Sequence, residues 1–451
     1  MQLLVIDWGT VGVKALQFVM SFSILVTLHE MGHFFPARWF KCRVDKFYLF
    51  FDPWFSIFKK KIKDTEYGLG WIPFGGYVKI AGMVDESMDK EQLKLPSQPW
   101  EFRSKPAWQR LIIMVGGVFV NILLAIVLFI MIAWVWGDEY IPAQNLKYGV
   151  TVDSLGRNIG MQDGDQIVAI GNVPYEKVGS ATLLFLQYEP KEITISRNGT
   201  TKKLAIPEGF VGQLNKNKGG GFTYLRFPAI IDSIDAAKVK IKEGIINAGD
   251  TLIAVNNDKI EWASELFSSK PIKNQTAILT LINANGDTTH ASVLYDSTGA
   301  SNIGFQSAGK VLGTKKINYT FAESIPAGWH KCWETLANYI QNLKQLFVSK
   351  EIKVNDSLGS VISIGNAFSG ELSDWRGFWT MTAIFSIILA FMNILPIPAL
   401  DGGHALFCIF EMITGRKPSD KFMEYAQTVG MVLLLGLMVY ALGLDVFRLF
   451  K

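Results

Sequence analysis

The run from Leu111 to Trp136 contains no charged side chain, and it limits what this chain can fold into more than any other feature. A helix needs about 20 largely apolar residues to cross about 30 Å of hydrocarbon, and three further segments are long enough. These are Leu16 to Phe40, interrupted by His29, Glu30 and His33; Phe378 to Leu400, which stops at Asp401; and Tyr425 to Leu444. Trp134, Trp136, Trp379 and Tyr425 lie near the ends of these runs, where aromatic belts form. A hydrophobic content of 49% over 451 residues is high for a soluble protein. The expected fold class is a polytopic α-helical membrane protein with four transmembrane helices. Met1 to Ala15 contains Asp7 and only Lys14, with no small-residue cleavage signal after the apolar run that follows, so that run is read as a retained helix.

The net charge of +4 gives no warrant for a nucleic-acid partner. The position of the bases is more informative. Lys41, Arg43, Lys46, Lys59, Lys60, Lys61, Lys63, Arg103, Lys105 and Arg110 all fall between the first two spans. The positive-inside rule puts that connection in the cytoplasm. Both termini and the long segment from Gly137 to Gly377 are then outside, and the turn from Asp401 to Glu424 is cytoplasmic. Cys42, Cys332 and Cys408 are too scattered for a disulfide framework or a thiolate metal site.

The outer segment alternates short β-branched runs with Gly, Asn and Asp turns, as in Glu192 to Ser196 followed by Arg197-Asn198-Gly199. Gly164 to Ile170 and Gly249 to Val255 repeat one pattern at an offset of 85 residues. Two external β-rich domains are expected, at 138–218 and 219–312. They are flanked by a first membrane part at 1–137, an amphipathic linker at 313–377 and a last membrane part at 378–451. Gly219-Gly220-Gly221 reads as a hinge or a plain loop. Trp329 to Phe347 has the apolar spacing of an amphipathic helix.

His29-Glu30-Met31-Gly32-His33 places two imidazoles at i and i+4 on one helix face, where both can reach one metal. Glu30 lies beside them, placed to take a proton from a water that the metal acidifies. Three ionisable groups within five residues of a span are costly to bury without a partner. A catalytic zinc site commonly has three protein ligands. Asp401 is the favoured third, because the first and third spans both run inward and Pro396 and Pro398 can bend the chain toward the bundle. His404 is a rival, while His290 and His330 fall in the outer segment as surface residues. Two imidazoles and a carboxylate suit Zn2+, although iron or cobalt accept the same ligands.

His29 to Phe34 with Ala37-Arg38, Gly70 to Lys79, Gly116-Gly117 with Asn121, and Asn393 with Leu400 to His404 together resemble the site-2 protease family, in order and over nearly the whole chain. The resemblance implies an intramembrane zinc endopeptidase with ligands His29, His33 and Asp401 and general base Glu30. It implies that Asn393 holds the substrate backbone, and that a membrane-associated β-loop containing Gly75, Gly76, Tyr77 and Val78 pairs with extended substrate. Gly68 to Ile80 itself reads as a hairpin near the membrane. The implied partners are single-span membrane proteins already trimmed outside, such as an anti-sigma factor or remnant signal peptides. The implied location is the bacterial inner membrane, with the site near the cytoplasmic face.

The two outer repeats resemble the tandem PDZ domains of that family, with peptide or protein ligands or a size-filtering role equally open. Lys242 to Ala248 before the second Gly-Asp, and the short lead-in of the first, depart from the usual pattern. The rivals are a non-catalytic PDZ scaffold with a structural metal, and a metal transporter. A structural site has no need of Glu30, and a single compact cluster makes a poor transport route.

Overall fold

The structure is a computed structural model that describes residues 8–83, 96–217, 221–234, 239–268, 272–297, 299, 301–352 and 361–449. Of the glycine tract read as a hinge or loop, Gly219 and Gly220 lie outside the described residues. The chain divides into two compact units, one of Met1–Gly137, Asn318–Gln341 and Leu358–Lys451, the other of Asp138–Ile317 and Asn342–Ser357.

The first unit carries the helices α1 (Trp8–Trp39), α2 (Ala107–Trp136), most of α3 (Phe321–Val348), α4 (Trp375–Ile394), α5 (Asp401–Thr414) and α6 (Asp420–Leu449). Among the described residues, four helices are long and apolar enough to span a membrane: α1, α2, α4 and, from Lys421 to Phe447, α6. The protein is thus a polytopic membrane protein. The third span stops at Ile394, ahead of Pro396 and Pro398, since a residue preceding proline is pushed out of helical geometry. The segment expected as a turn from Asp401 instead opens with the 14-residue helix α5. Gly402, Ala405 and Cys408 bury one stripe of it, the buried Arg110 of α2 pairs with its Glu411, and Gly415 ends it in a left-handed cap.

Lipid provides no hydrophobic drive between spans, so close backbone approach and polar contacts must hold them. At the crossing of α1 and α2, a Cβ on Gly32 would overlap the Gly116 carbonyl, and one on Gly116 would overlap the Gly32 carbonyl. Only glycines permit this separation. A buried polar clamp adds α4: the hydroxyls of Thr382 and Ser21 hydrogen-bond at 2.9 Å, and Ser386 Oγ donates to the Asn121 carbonyl at 2.7 Å.

Between α1 and α2 lies a four-stranded sheet of β1 (Val44–Phe51), β2 (Phe58–Ile62), β3 (Thr65–Leu69) and β4 (Ile72–Ile80), in the order β2-β3-β1-β4. The reading of Gly68 to Ile80 as a hairpin is therefore corrected. β3 and β4 do not pair; β3 runs parallel to β1 on one side, and β4 antiparallel to it on the other. The chain crosses the end of β1 at Gly70, where a Cβ would overlap the Phe51 carbonyl and where the Trp71 amide donates to that same carbonyl at 3.1 Å. The hairpin of this sheet joins β2 to β3. Ala37, Val44, Ile80, Ile113, Met114 and Ala405 form one core, joining α1, β1, β4, α2 and α5.

The second unit has two β-rich cores, one centred on Phe185, Ile193, Ile195, Phe210 and Phe222, the other on Ile231, Leu279, Leu281 and Val293. The first also draws in Leu312 and Ile352. Glu192–Arg197 and Thr200–Ala205 pair as a hairpin, with Asn198 and Gly199 at positive φ. The repeat has one geometry in both copies. The Gly164 amide donates to Val150 O and the Gly249 amide to Ile231 O. The buried carboxylates Asp165 and Asp250 each accept from the amide three residues earlier, at 2.8 Å. Arg197 pairs with Asp165 only in the first copy; the residue 85 positions on is Ile282.

Overpacking a tight contact costs about 1–3 kcal/mol. Gly116→Val should therefore lower the thermal midpoint of the purified protein in detergent, while Gly12→Val, which meets open space, should leave it unchanged.

Candidate metal centre

His29 and His33 fall on the buried side of α1, one turn apart, with rings edge to face at a centroid separation of 4.8 Å. Asp401 enters from the first turn of α5, where the helix dipole favours a carboxylate. Gly402 and Gly403 let the preceding loop fold onto this turn, since a Cβ on either would overlap carbonyls of the 394–397 stretch. The three side chains meet closely. His29 Nε2 is 3.2 Å from Asp401 Oδ2, His33 Nε2 is 3.3 Å from it, and the two Nε2 atoms are 3.3 Å apart. Among the described residues they form the one group of three or more His, Cys, Asp or Glu spaced to hold a metal ion.

The donor set fits zinc. Nitrogen and oxygen ligands about 2.0–2.1 Å from a tetrahedral zinc are about 3.3 Å from each other, which is the spacing found. Asp401 Oδ2 is buried, and its polar neighbours are the two imidazole Nε2 atoms, the other members of the donor group. His33 Nδ1 lies 2.8 Å from the Ile113 carbonyl; donating there leaves the lone pair on Nε2, facing the other two donor atoms. A Cβ on Gly117 would strike both imidazoles, so this glycine provides the space in which they sit.

Glu30 is half-buried, and the backbone of Val78 in β4 comes near its carboxyl. β4 is the terminal strand of its sheet, and an edge strand offers backbone groups that the sheet leaves unpaired. Gly76 lets α1 approach β4, since a Cβ there would lie 2.8 Å from the Val26 side chain, and Gly75 takes a φ of +112° that favours glycine. Tyr77 stacks on Tyr48 and donates to Asp52 Oδ1 at 2.9 Å. Burial, and next this bond, push its phenol well above the ordinary tyrosine value. Asn393, in the last turn of α4, brings Nδ2 to 3.4 Å from His29 Nε2. Gly76 thus packs on α1 and Asn393 lies beside His29, while Gly75 and Tyr77 contact Phe51, Tyr48 and Asp52 instead.

His404 stands one turn beyond Asp401, in a small cavity with Arg110, Phe407, Cys408 and Lys417, and is not part of the donor group. His290 bonds Thr280 on the surface, and His330 is exposed on α3. Sequence reasoning assigned no role to the Ile113 carbonyl or to the side chain of Asn121. The signal for both was present, because Ile113, Gly117 and Asn121 recur every fourth residue along one face of α2.

The model of peptidase family M50 matches residues 17–437, most of the chain. The chain belongs to peptidase family M50. Relatives similar along their full length carry the name "Putative zinc metalloprotease". The one from Treponema pallidum is 25% identical and covers 97% of this chain and 100% of its own. Those of Vibrio cholerae and Neisseria meningitidis are each 27% identical, covering 96% of this chain and 98% and 99% of theirs. M50 peptidases are zinc metalloproteases, and this membrane-spanning chain is one of them.

If Gly117 holds the space for the two imidazoles, Gly117→Val should remove most of the bound zinc from this M50 chain, checked by metal analysis of the purified protein against Gly12→Val.

Proposed function

We propose that this M50 chain cleaves the transmembrane segments of single-span membrane proteins, with His29, His33 and Asp401 as zinc ligands and Glu30 as general base. The observation that carries this reading is the triangle of His29, His33 and Asp401, with Glu30 next to His29 on α1 and the edge strand β4 packed against that helix. A helix must unwind before its peptide bonds can be attacked, and its freed backbone groups need partners where water is scarce. β4 provides them by strand addition, with Gly75 to Val78 along the added strand. Such a strand is carried past Glu30.

Zinc, when bound, supplies Lewis acidity, acidifying a water and polarising the carbonyl under attack. Glu30 takes the water proton as the oxygen adds to the carbonyl carbon, then returns it to the departing amide nitrogen. Asn393 donates its amide hydrogens to the substrate backbone. An apolar cleft lined by Pro396, Ile397, Pro398, Tyr425 and Val429 flanks the loop leading to Asp401 and suits the side chains of a membrane segment.

The basic connection between α1 and α2 supports a cytoplasmic placement of the sheet and the site, in a bacterial inner membrane with both termini outside. The β-rich cores of the second unit, with their repeated Gly-Asp turns, are read as two external PDZ-like domains that bind peptides or exclude large ectodomains. Natural substrates in this reading are segments trimmed outside by another protease, such as an anti-sigma factor or remnant signal peptides, as the resemblance to bacterial regulators of sigma-E proteolysis suggests.

Glu30→Gln should keep its zinc and cut a trimmed single-span reporter about 10²–10⁴-fold more slowly than wild type. If neither protein cuts any of several trimmed reporters while both hold zinc, the intramembrane reading fails in favour of a PDZ scaffold. Deleting residues 140–310 should make an untrimmed reporter cleavable; a deletion that still requires trimming would remove the size-filter role.

A further inference from the structure

We propose that Asn121 is a positioning residue for the metal centre, its amide oxygen accepting the Nδ1 proton of His29 so that Nε2 keeps its lone pair for zinc. The proposal rests on the ligand assignment above. Asn121 is fully buried in α2, and its side-chain Nδ2 is placed 3.1 Å from His29 Nδ1. The other ring nitrogen, Nε2, belongs to the donor triangle. A neutral imidazole carries one proton, so a ring that gives Nε2 to a metal holds its proton on Nδ1 and needs an acceptor there.

The two ends of an amide are told apart by the hydrogen bonds they make. As placed, with the nitrogen toward His29, the amide opposes one donor with another when Nδ1 carries the proton, and its oxygen is buried with no partner among the described residues. With the oxygen toward His29, the ring is fixed in the one tautomer that can bind. The two histidines are then oriented by the same helix in different ways. His33 donates to the backbone carbonyl of Ile113 and His29 to the side chain of Asn121, two turns further along α2. Only the second of these partners can be changed by mutation. The Asn121 backbone is held separately, because its carbonyl accepts from Ser386, and this bond survives any change of the side chain.

The test is zinc affinity, measured by chelator competition on the purified full-length protein, with the thermal midpoint of the chelator-stripped protein recorded for each variant. Asn121→Leu and the smaller Asn121→Ala remove the acceptor, and each should bind zinc about 10–100-fold more weakly. Asn121→Asp keeps an acceptor at the same reach and should stay within about threefold of wild type, as carboxylates orient zinc-bound histidines in this manner. Wild-type affinity in Asn121→Ala overturns the proposal. Equal losses in Asn121→Asp and Asn121→Ala, or losses that follow the stripped midpoint, reduce Asn121 to packing and also overturn it. His33→Ala separates the two levels of the argument: undiminished zinc binding there overturns the ligand assignment and this proposal with it, whereas a loss there beside wild-type binding in Asn121→Ala overturns this proposal alone.

Discussion

The contact on which the site depends is the crossing of α1 and α2 at Gly32, Gly116 and Gly117, where backbone meets backbone and one glycine faces both imidazoles. A helix pair in lipid is held by such close packing and by buried polar bonds, since apolar side chains are as well solvated by lipid as by each other. Here the polar bonds of Ser21, Thr382 and Ser386 lock α4 to the pair, all from buried positions. The separation of the two helices sets where His29 and His33 stand. It also sets which α2 groups can reach their outer nitrogens, namely the Ile113 carbonyl and Asn121.

The other parts of the site are brought to this pair by short-range constraints of their own. Asp401 arrives because the third span ends ahead of Pro396 and the chain starts a new helix on two glycines, with Arg110 and Glu411 tying that helix to α2. β4 reaches Glu30 because Gly76 admits α1 and because the crossing at Gly70 puts β4, and not β3, on the α1 side of β1. The consequence is chemical. Glu30, three side chains spaced to hold a metal and an edge strand come together in one compact unit.

Much of this was legible in the chain itself. The apolar runs marked the spans, and HExxH with a distant aspartate identified the three donors that the fold brings together. The repeat at 85 residues marked two turns with one hydrogen-bond pattern. Helix α5 was missed, because a short apolar stripe of Gly402, Ala405 and Cys408 after prolines and glycines reads locally as a turn and is helical through packing on α2. The pairing of β1 between β3 and β4 was missed for a similar reason. Glycines bracketing an aromatic strand signal a hairpin locally, whereas a crossover depends on a strand twenty residues earlier. The partners of the two histidines were marked only by the spacing of Ile113, Gly117 and Asn121 along α2, a signal that is easily passed over because an asparagine within a span is usually an interhelical bond.

The central claim is that two imidazoles from α1 and one carboxylate from α5 make a sulfur-free metal centre. Zinc K-edge X-ray absorption on the purified protein, in wild type and Asp401→Ala, tests it most directly. The account predicts a wild-type spectrum of nitrogen and oxygen ligands at about 2.0–2.1 Å with imidazole scattering, and loss or rearrangement of that shell in Asp401→Ala. A sulfur shell at about 2.3 Å, or an unchanged spectrum in Asp401→Ala, would contradict it.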